Sequence, residues 1–444
     1  MRRIVPLLLV PLLLAALACG SRADTDATDE GLDGGPDPTD GPTAAEPIGT
    51  LDNPCGGEAS GGAVPDGVPG VSDDTIRIGV ISDKENDIAP VPTICVEDAV
   101  RAFVEMCNDL GGINGRRLDL VTYDSQILRT DDVTKEACAD DLFALVGSGS
   151  VQDQLGVETR EGCGLIEVAA YSATTSRSLS QDFFSPLPGL NPTEYNVGTC
   201  RFIAERFPDA VTKAAMVWTE LPAPEVRGHQ IVEACEAEAG FDFVVQEGLA
   251  FGNTNYGPLV SQMKSAGVRY FSMVSASSET LALLREIREQ GLELEVIDLG
   301  QQYYEEAVAA DGAAEGAWVL TNTVPFDETD EYPAMAFYRD AVEQVGGVEG
   351  TLGVQAFSAA MLFATAVQEM GDDLTREALV EQLSGIHEWD GGGLHMTADP
   401  GANTLPECFM FLRIVDGEFV REHPSEGFDC DPAHIRTSTE RFES

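Results

Sequence analysis

The stretch GGINGRRLDLVTYDSQ, residues 111–126, decides how the chain is read, because three glycines and an asparagine crowd into its first five positions. A loop that cradles a phosphate follows a strand and opens a helix, so that the helix N-terminal amides face the anion. Here the order is reversed. Val100, Phe103, Val104, Cys107 and Leu110 recur at helical spacing before the stretch, and the strand-like LDLVTY (118–123) follows it. Gly111 and Gly112 supply the left-handed conformations that end a helix, Ile113 packs back on it, and Asn114-Gly115 makes a tight turn. The stretch stops a helix and starts a strand.

The same alternation runs outward in both directions. IRIGVI (76–81), LDLVTY, FALVG (143–147) and LIEVA (165–169) are strand-like, with helical stretches between them. Prolines at 186, 188 and 192 interrupt the pattern, which then restarts with AAMVW (214–218), DFVVQ (242–246), RYFSMV (269–274) and LEVID (294–298). Strands alternating with helices imply parallel sheets covered on both faces, and two series imply two doubly wound domains. Further helices follow at about 333–345, 355–370 and 375–384, then WDGGGLHMTADPGAN and a strand-turn-strand pattern over 409–421.

Composition narrows the function. A chain of 444 residues that is 43% hydrophobic can build two sizeable cores. With 76 acidic against 26 basic residues and a net charge of −50, Coulomb repulsion excludes a protein that holds nucleic acid by its own charge. The four lysines fit either a saline habitat or an arginine-biased genome.

The N-terminus MRRIVPLLLVPLLLAALACGS has a basic start, an apolar run too short to cross a bilayer, and small residues at its end, the form of a secretory signal over 1–18. Residues 19–73 are rich in Asp, Gly, Pro and Thr and are expected to form an acidic flexible tether. Nine further cysteines are dispersed without a C-x-x-C pair, as expected of disulfides in an exported chain and not of a metal site. The odd number leaves at least one over. The five histidines show no metal-ligand spacing, and no P-loop or G-x-S-x-G occurs, so no catalytic residue, metal or cofactor is expected.

The order of helix, GGINGR and a strand ending Tyr123-Asp124, with IRIGVIS, FALVGSGSVQ, VAAYSATTS and the late WDGGGLHMTADPGAN, closely resembles the type 1 periplasmic binding proteins of the leucine/isoleucine/valine-binding family. The resemblance covers about residues 74–425. Cys19 after Ala18 resembles a lipobox, with Ala16 where leucine is usual; an ordinary cleaved signal with an incidental cysteine is the other reading.

The resemblance implies an α/β fold of two doubly wound, Rossmann-like lobes joined by three hinge crossovers. Lobe 1 is expected over 74–190 plus 325–392, and lobe 2 over 191–324 plus 393–444. It implies a monomeric, extracytoplasmic, lipid-anchored substrate-binding protein that is not an enzyme. Such a protein delivers an amino acid, amide or small organic acid to an ABC permease in the cytoplasmic membrane; the alternative is a ligand sensor that signals through a membrane partner. On that topology the expected bridges are Cys138 with Cys163, Cys200 with Cys235, Cys408 with Cys430 and Cys55 with Cys95, leaving Cys107 as a buried thiol.

Ligands of open α/β sheets bind beyond the carboxyl ends of the strands. The resemblance implies that Ser148, Ser150, Gln152, Ser172 and Thr174 of lobe 1 hold a carboxylate, unless these hydroxyls are only helix caps. Trp218, Glu220, Ser275, Gln301 and Gln302 are the lobe 2 candidates. TELPAPEVRG (219–228) departs from the family pattern, which argues against a branched-chain amino acid.

Overall fold

The computed structural model describes residues 45–57, 62–85, 94–438 and 440–443. The signal sequence, Cys19 and the first half of the expected tether lie outside the described residues. The first sheet is parallel, ordered β2-β1-β3-β4-β5, from β1 (Thr75–Ser82), β2 (Arg117–Asp124), β3 (Ala144–Val146), β4 (Ile166–Val168) and β5 (Phe183–Phe184). Between these strands run α1 (Ile94–Asp109), α2 (Thr130–Ala139), α3 (Val157–Gly162) and the single turn α4 (Thr175–Ser178).

The chain then crosses to a second α/β unit through β6 (Glu194–Asn196), α5 (Gly198–Arg206) and α6 (Pro208–Val211). Its strands are β7 (Ala214–Thr219), β8 (Phe243–Leu249), β9 (Tyr270–Val274), β10 (Val296–Leu299) and β11 (Trp318–Thr321). Its helices are α7 (Pro222–Ala239), α8 (Gly257–Ala266), α9 (Ser277–Glu289) and the short α10 (Glu306–Ala309). After β11 the chain returns to the first sheet as α11 (Pro333–Gln344), α12 (Thr351–Met370) and α13 (Arg376–Ser384). It crosses back once more to add β12 (Cys408–Val415) and β13 (Glu418–His423) antiparallel to β11, with β14 (Asp429–Cys430) on β12 and β15 (Ile435–Thr437) on β6. Two lobes and three crossovers result, the α/β architecture that the sequence implies.

Helix α12 is apolar on every side and long enough to cross a membrane, yet it is nearly all buried as the central helix of lobe 1. Its Phe357 meets Phe103 of α1 edge-on at 5.5 Å and Tyr338 of α11 at 5.5 Å. Such a helix is hydrophobic all round because protein surrounds it.

The 111–126 stretch does what its residue types dictate. Gly111, Gly112, Asn114 and Gly115 all take positive φ, and the Gly112 amide donates to the Cys107 carbonyl at 2.8 Å to close α1. A Cβ on Gly112 would stand 2.0 Å from the Arg116 carbonyl oxygen, so no other residue fits. The Asn114 side chain reaches the Gln368 carbonyl at 2.9 Å, fastening the turn to the end of α12.

Two expectations need correction. The segment 45–57, placed in the flexible tether, is docked: Ile48 is fully buried, the Thr50 amide donates to the Gly392 carbonyl at 3.1 Å, and the Gly56 amide donates to the Gly112 carbonyl at 2.6 Å. That last contact sets Cys55 beside the C-terminal end of α1, where it pairs with Cys107 and not with Cys95. Cys95 stands twelve residues earlier, about 18 Å along the helix, and is the cysteine left outside the bridges among the described residues. The other bridges join Cys138 to Cys163, Cys200 to Cys235 and Cys408 to Cys430.

Candidate functional site

The carboxyl ends of the two sheets face each other across a cleft, but they are built differently. In lobe 1 the buried Asp83, just past β1, accepts from the Ser125 hydroxyl and from the Ile127 and Val151 amides, both at 2.7 Å. It thereby stitches the loops after β1, β2 and β3 together, and burial pushes its carboxyl up from the usual range.

A second buried carboxylate, Asp153, accepts from the Ala173 amide and the Thr174 hydroxyl, each at 2.6 Å, and pairs with Arg177 at 3.3 Å. Arg177 also binds Glu167, which Arg160 approaches at 3.4 Å. Burial opposes the Glu167 charge, but the Arg177 and Arg160 guanidiniums outweigh it and hold that carboxyl low. Lobe 1 therefore satisfies its strand-end donors with its own acids.

Lobe 2 is open instead. A cavity of about 440 Å³ starts in the cleft and continues beneath α7 into the space between that helix, α5 and the second sheet. At its mouth stand Tyr171, Ser172, Ser275, Gln301, Gln302 and Phe251. Gln355 of α12 donates to the Gln301 side chain at 3.3 Å and to the Asn322 side chain at 3.2 Å, joining both lobes and a crossover at the back of the cleft. Deeper in, the lining is Tyr195, Ile231, Ala234, Phe409 and Phe411. Two charged groups line it among the described residues, Arg227 and Asp298. Asp298 accepts from the Tyr270 hydroxyl at 2.6 Å, and burial pushes its carboxyl up to about 6. Arg227 donates to the Gln230 side chain at 3.2 Å, and burial lowers its guanidinium's pKa.

Of the ten candidates, Ser172, Ser275, Gln301 and Gln302 line the cavity. The other six do not. The Ser148 hydroxyl accepts from the Ile81 amide at 3.1 Å, and Gln152 accepts from the Gln154 side chain at 2.6 Å. Thr174 caps α4 and bonds Asp153. Ser150 is buried beside the Arg160–Glu167–Arg177 cluster. Trp218 packs under α7, its ring 4.6 Å from that of His229, and Glu220 is exposed outside the cavity. Periodicity located the strand ends, but which hydroxyls point inward depends on partners brought from elsewhere. Arg227, Asp298, Asn322 and Gln355 are not among the ten candidates; the signals for the first two were the departure of TELPAPEVRG, which holds Arg227, from the family pattern and the place of Asp298 just before the position of the family's acidic residue.

The comparisons with known proteins agree with this fold. The sequence model of the periplasmic binding protein family matches residues 75–418. A leucine-, isoleucine-, valine-, threonine- and alanine-binding protein of Pseudomonas aeruginosa is 27% identical over 308 residues, 67% of this chain and 79% of that protein. Among solved structures, a fatty acid ABC transporter substrate-binding protein from Thermomonospora curvata superposes with a TM-score of 0.69 at 18% identity, covering 84% of this chain and 97% of its own. An R. palustris ABC transporter solute-binding protein in complex with 4-hydroxybenzoate gives 0.66 at 14% identity over 81% of this chain and 98% of its own. A branched-chain amino acid transporter substrate-binding protein from Streptococcus pneumoniae in complex with isoleucine gives 0.64 at 16% identity over 81% and 99%.

Proposed function

Since the chain belongs to the periplasmic binding protein family, we propose that it is the extracytoplasmic, lipid-anchored substrate-binding protein of an ABC importer. It captures a small solute, an amino acid, an amide or an organic acid, between lobe 1 (74–190 with 325–392) and lobe 2 (191–324 with 393–444). It then presents the closed form to a permease whose ATPase subunits supply the energy. Acylation of Cys19 holds it at the membrane, because several acyl chains together anchor stably where one does not. The observation that carries this reading is a cavity of about 440 Å³ that takes Ser172 from one lobe and Ser275, Gln301 and Gln302 from the other. A ligand touching both sets of side chains binds the closed arrangement better than the open one, which is what drives closure. Amino acids, a fatty acid and an aromatic acid are named for the relatives, and all carry a carboxylate on an apolar body.

A thermal-shift screen of the purified protein against amino acids, amides, fatty acids and aromatic acids tests it. A ligand present at a hundred times its dissociation constant should add about 2.7 kcal/mol of stability, a shift of a few degrees for a protein of this size. If no compound in the panel shifts a cooperatively folded protein, solute capture in this cleft is wrong.

A further inference from the structure

The position that the resemblance assigns to a ligand carboxylate is already filled. The Val151 amide is taken by Asp83 and the Ala173 amide by Asp153, while the Ser148 and Thr174 hydroxyls serve the Ile81 amide and Asp153. An anion placed there would find the Val151 and Ala173 amides and the Thr174 hydroxyl in use and two carboxylates beside it, a repulsion that costs most where water is excluded.

The opposite lobe offers the converse. Arg227 lines the cavity beneath α7 and makes no ion pair among the described residues, in a chain where acidic residues outnumber basic ones 76 to 26. A half-buried guanidinium lining a largely apolar space gains most when a carboxylate meets it, since its planar donors match two oxygens at once. Around it the walls are Leu221, Ala223, Ile231, Ala234, Phe409 and Phe411, which suit hydrocarbon. The lone acid of the lining among the described residues, Asp298, accepts from the Tyr270 hydroxyl, which occupies one of its acceptor positions.

We propose that the ligand is an apolar monocarboxylate whose carboxylate pairs with Arg227 of α7 and whose hydrocarbon lies under that helix, with lobe 1 closing over it without holding the acid group. This rests on the reading of the cleft as a solute site and adds the chemical class and the anchoring residue. The volume accommodates a hydrocarbon body well beyond an amino-acid side chain. Ser172, Ser275 and Gln301 then contact the mouth of the ligand.

Calorimetric titration of the purified protein with octanoate, 1-octanol, 8-aminooctanoate and leucine separates the alternatives. Octanoate should bind about ten- to a hundredfold more tightly than 1-octanol, the difference one charged hydrogen-bonded contact makes. Arg227→Gln should bring octanoate down to the alcohol's affinity and leave the alcohol unchanged, while Arg227→Lys should lose less. Ala234→Leu, which narrows the space under α7, should weaken octanoate and octanol together. Octanoate binding that is indifferent to Arg227→Gln overturns the proposal. So does tighter binding of 8-aminooctanoate than of octanoate, which would assign Asp298 to an ammonium group. Leucine bound in preference to octanoate overturns it too while leaving solute capture standing, whereas failure of these and of the wider thermal-shift panel removes both.

Discussion

Helices α12 and α7 each cover a parallel sheet, and they do it in opposite ways. Nearly every residue of α12 is buried, from Thr351 through Ala364 without a break, and aromatic rings of α1 and α11 close on its Phe357. Helix α7 has eighteen residues, of which Gly228, Gln230, Val232, Ala234 and Cys235 are buried, and the cavity runs beneath it. Lobe 1 spends its interior on stability and satisfies its strand ends internally. Lobe 2 leaves space under one helix and a cation in it. In this protein the more hydrophobic helix marks the core, and the cavity lies under the helix with small, mixed residues.

The sharpest way to break this contrast is at Phe357. Phe357→Ala removes a fully buried ring and should cost about 3–5 kcal/mol in denaturant unfolding. The folded fraction should bind ligand with unchanged affinity. A loss of affinity in molecules that remain folded would show that the lobe 1 core and the cleft are not separable.

Next in size are two buried groups that titrate in opposite senses. His395, beside the third crossover, bonds Ser358 and the Met396 carbonyl, each at 2.8 Å, and burial lowers it to about 4 although Asp390 favours its charge. Its unfolded value is near 6.5, so the unfolded chain binds more protons between these values. Stability should fall by about 3 kcal/mol as pH drops from 6.5 to 4, at about 1.4 kcal/mol per pH unit of displacement. His395→Gln should flatten that decline in unfolding curves taken across the window.

Asp298 works against it. Its carboxyl is raised from 3.8 to about 6, so here the folded state binds more protons, and stability falls as pH rises through that interval. Asp298→Asn should therefore stabilise the protein above pH 6, by at most about 3 kcal/mol, with the gain vanishing below pH 4. Because the two windows overlap, the variant should also expose the full acid lability due to His395. No stabilisation at pH 8 would mean that the Tyr270 hydroxyl and water in the cavity fully compensate the charge.

The smallest effect is expected where lobe 2 has room. Ala234→Leu should change stability by about 1 kcal/mol or less, because Ala234, although it packs with Tyr195 and Val197, also borders the cavity, which the added carbons can enter. A cost near that of Phe357→Ala would show that α7 sits on a close-packed layer after all.

Local chemistry in the sequence determined the strands, the helix stops and the two-lobed order: the positive-φ turn at 111–115, the period-two and helical patterns, and the proline-broken crossover need only near neighbours to act. The acidic composition likewise excluded whole classes of partner without any coordinates. Only the tertiary structure decided that Cys55 meets Cys107, because a main-chain contact between Gly56 and Gly112 brings a segment of disordered composition against the end of α1. It also decided that Ser148 is buried against the Ile81 amide and that the Thr174 hydroxyl is spent on Asp153, while Arg227 lines a cavity. A hydroxyl at a strand end reads the same in sequence whether it caps a helix or meets a ligand. Which of these it does depends on where distant carboxylates come to rest when the core is packed.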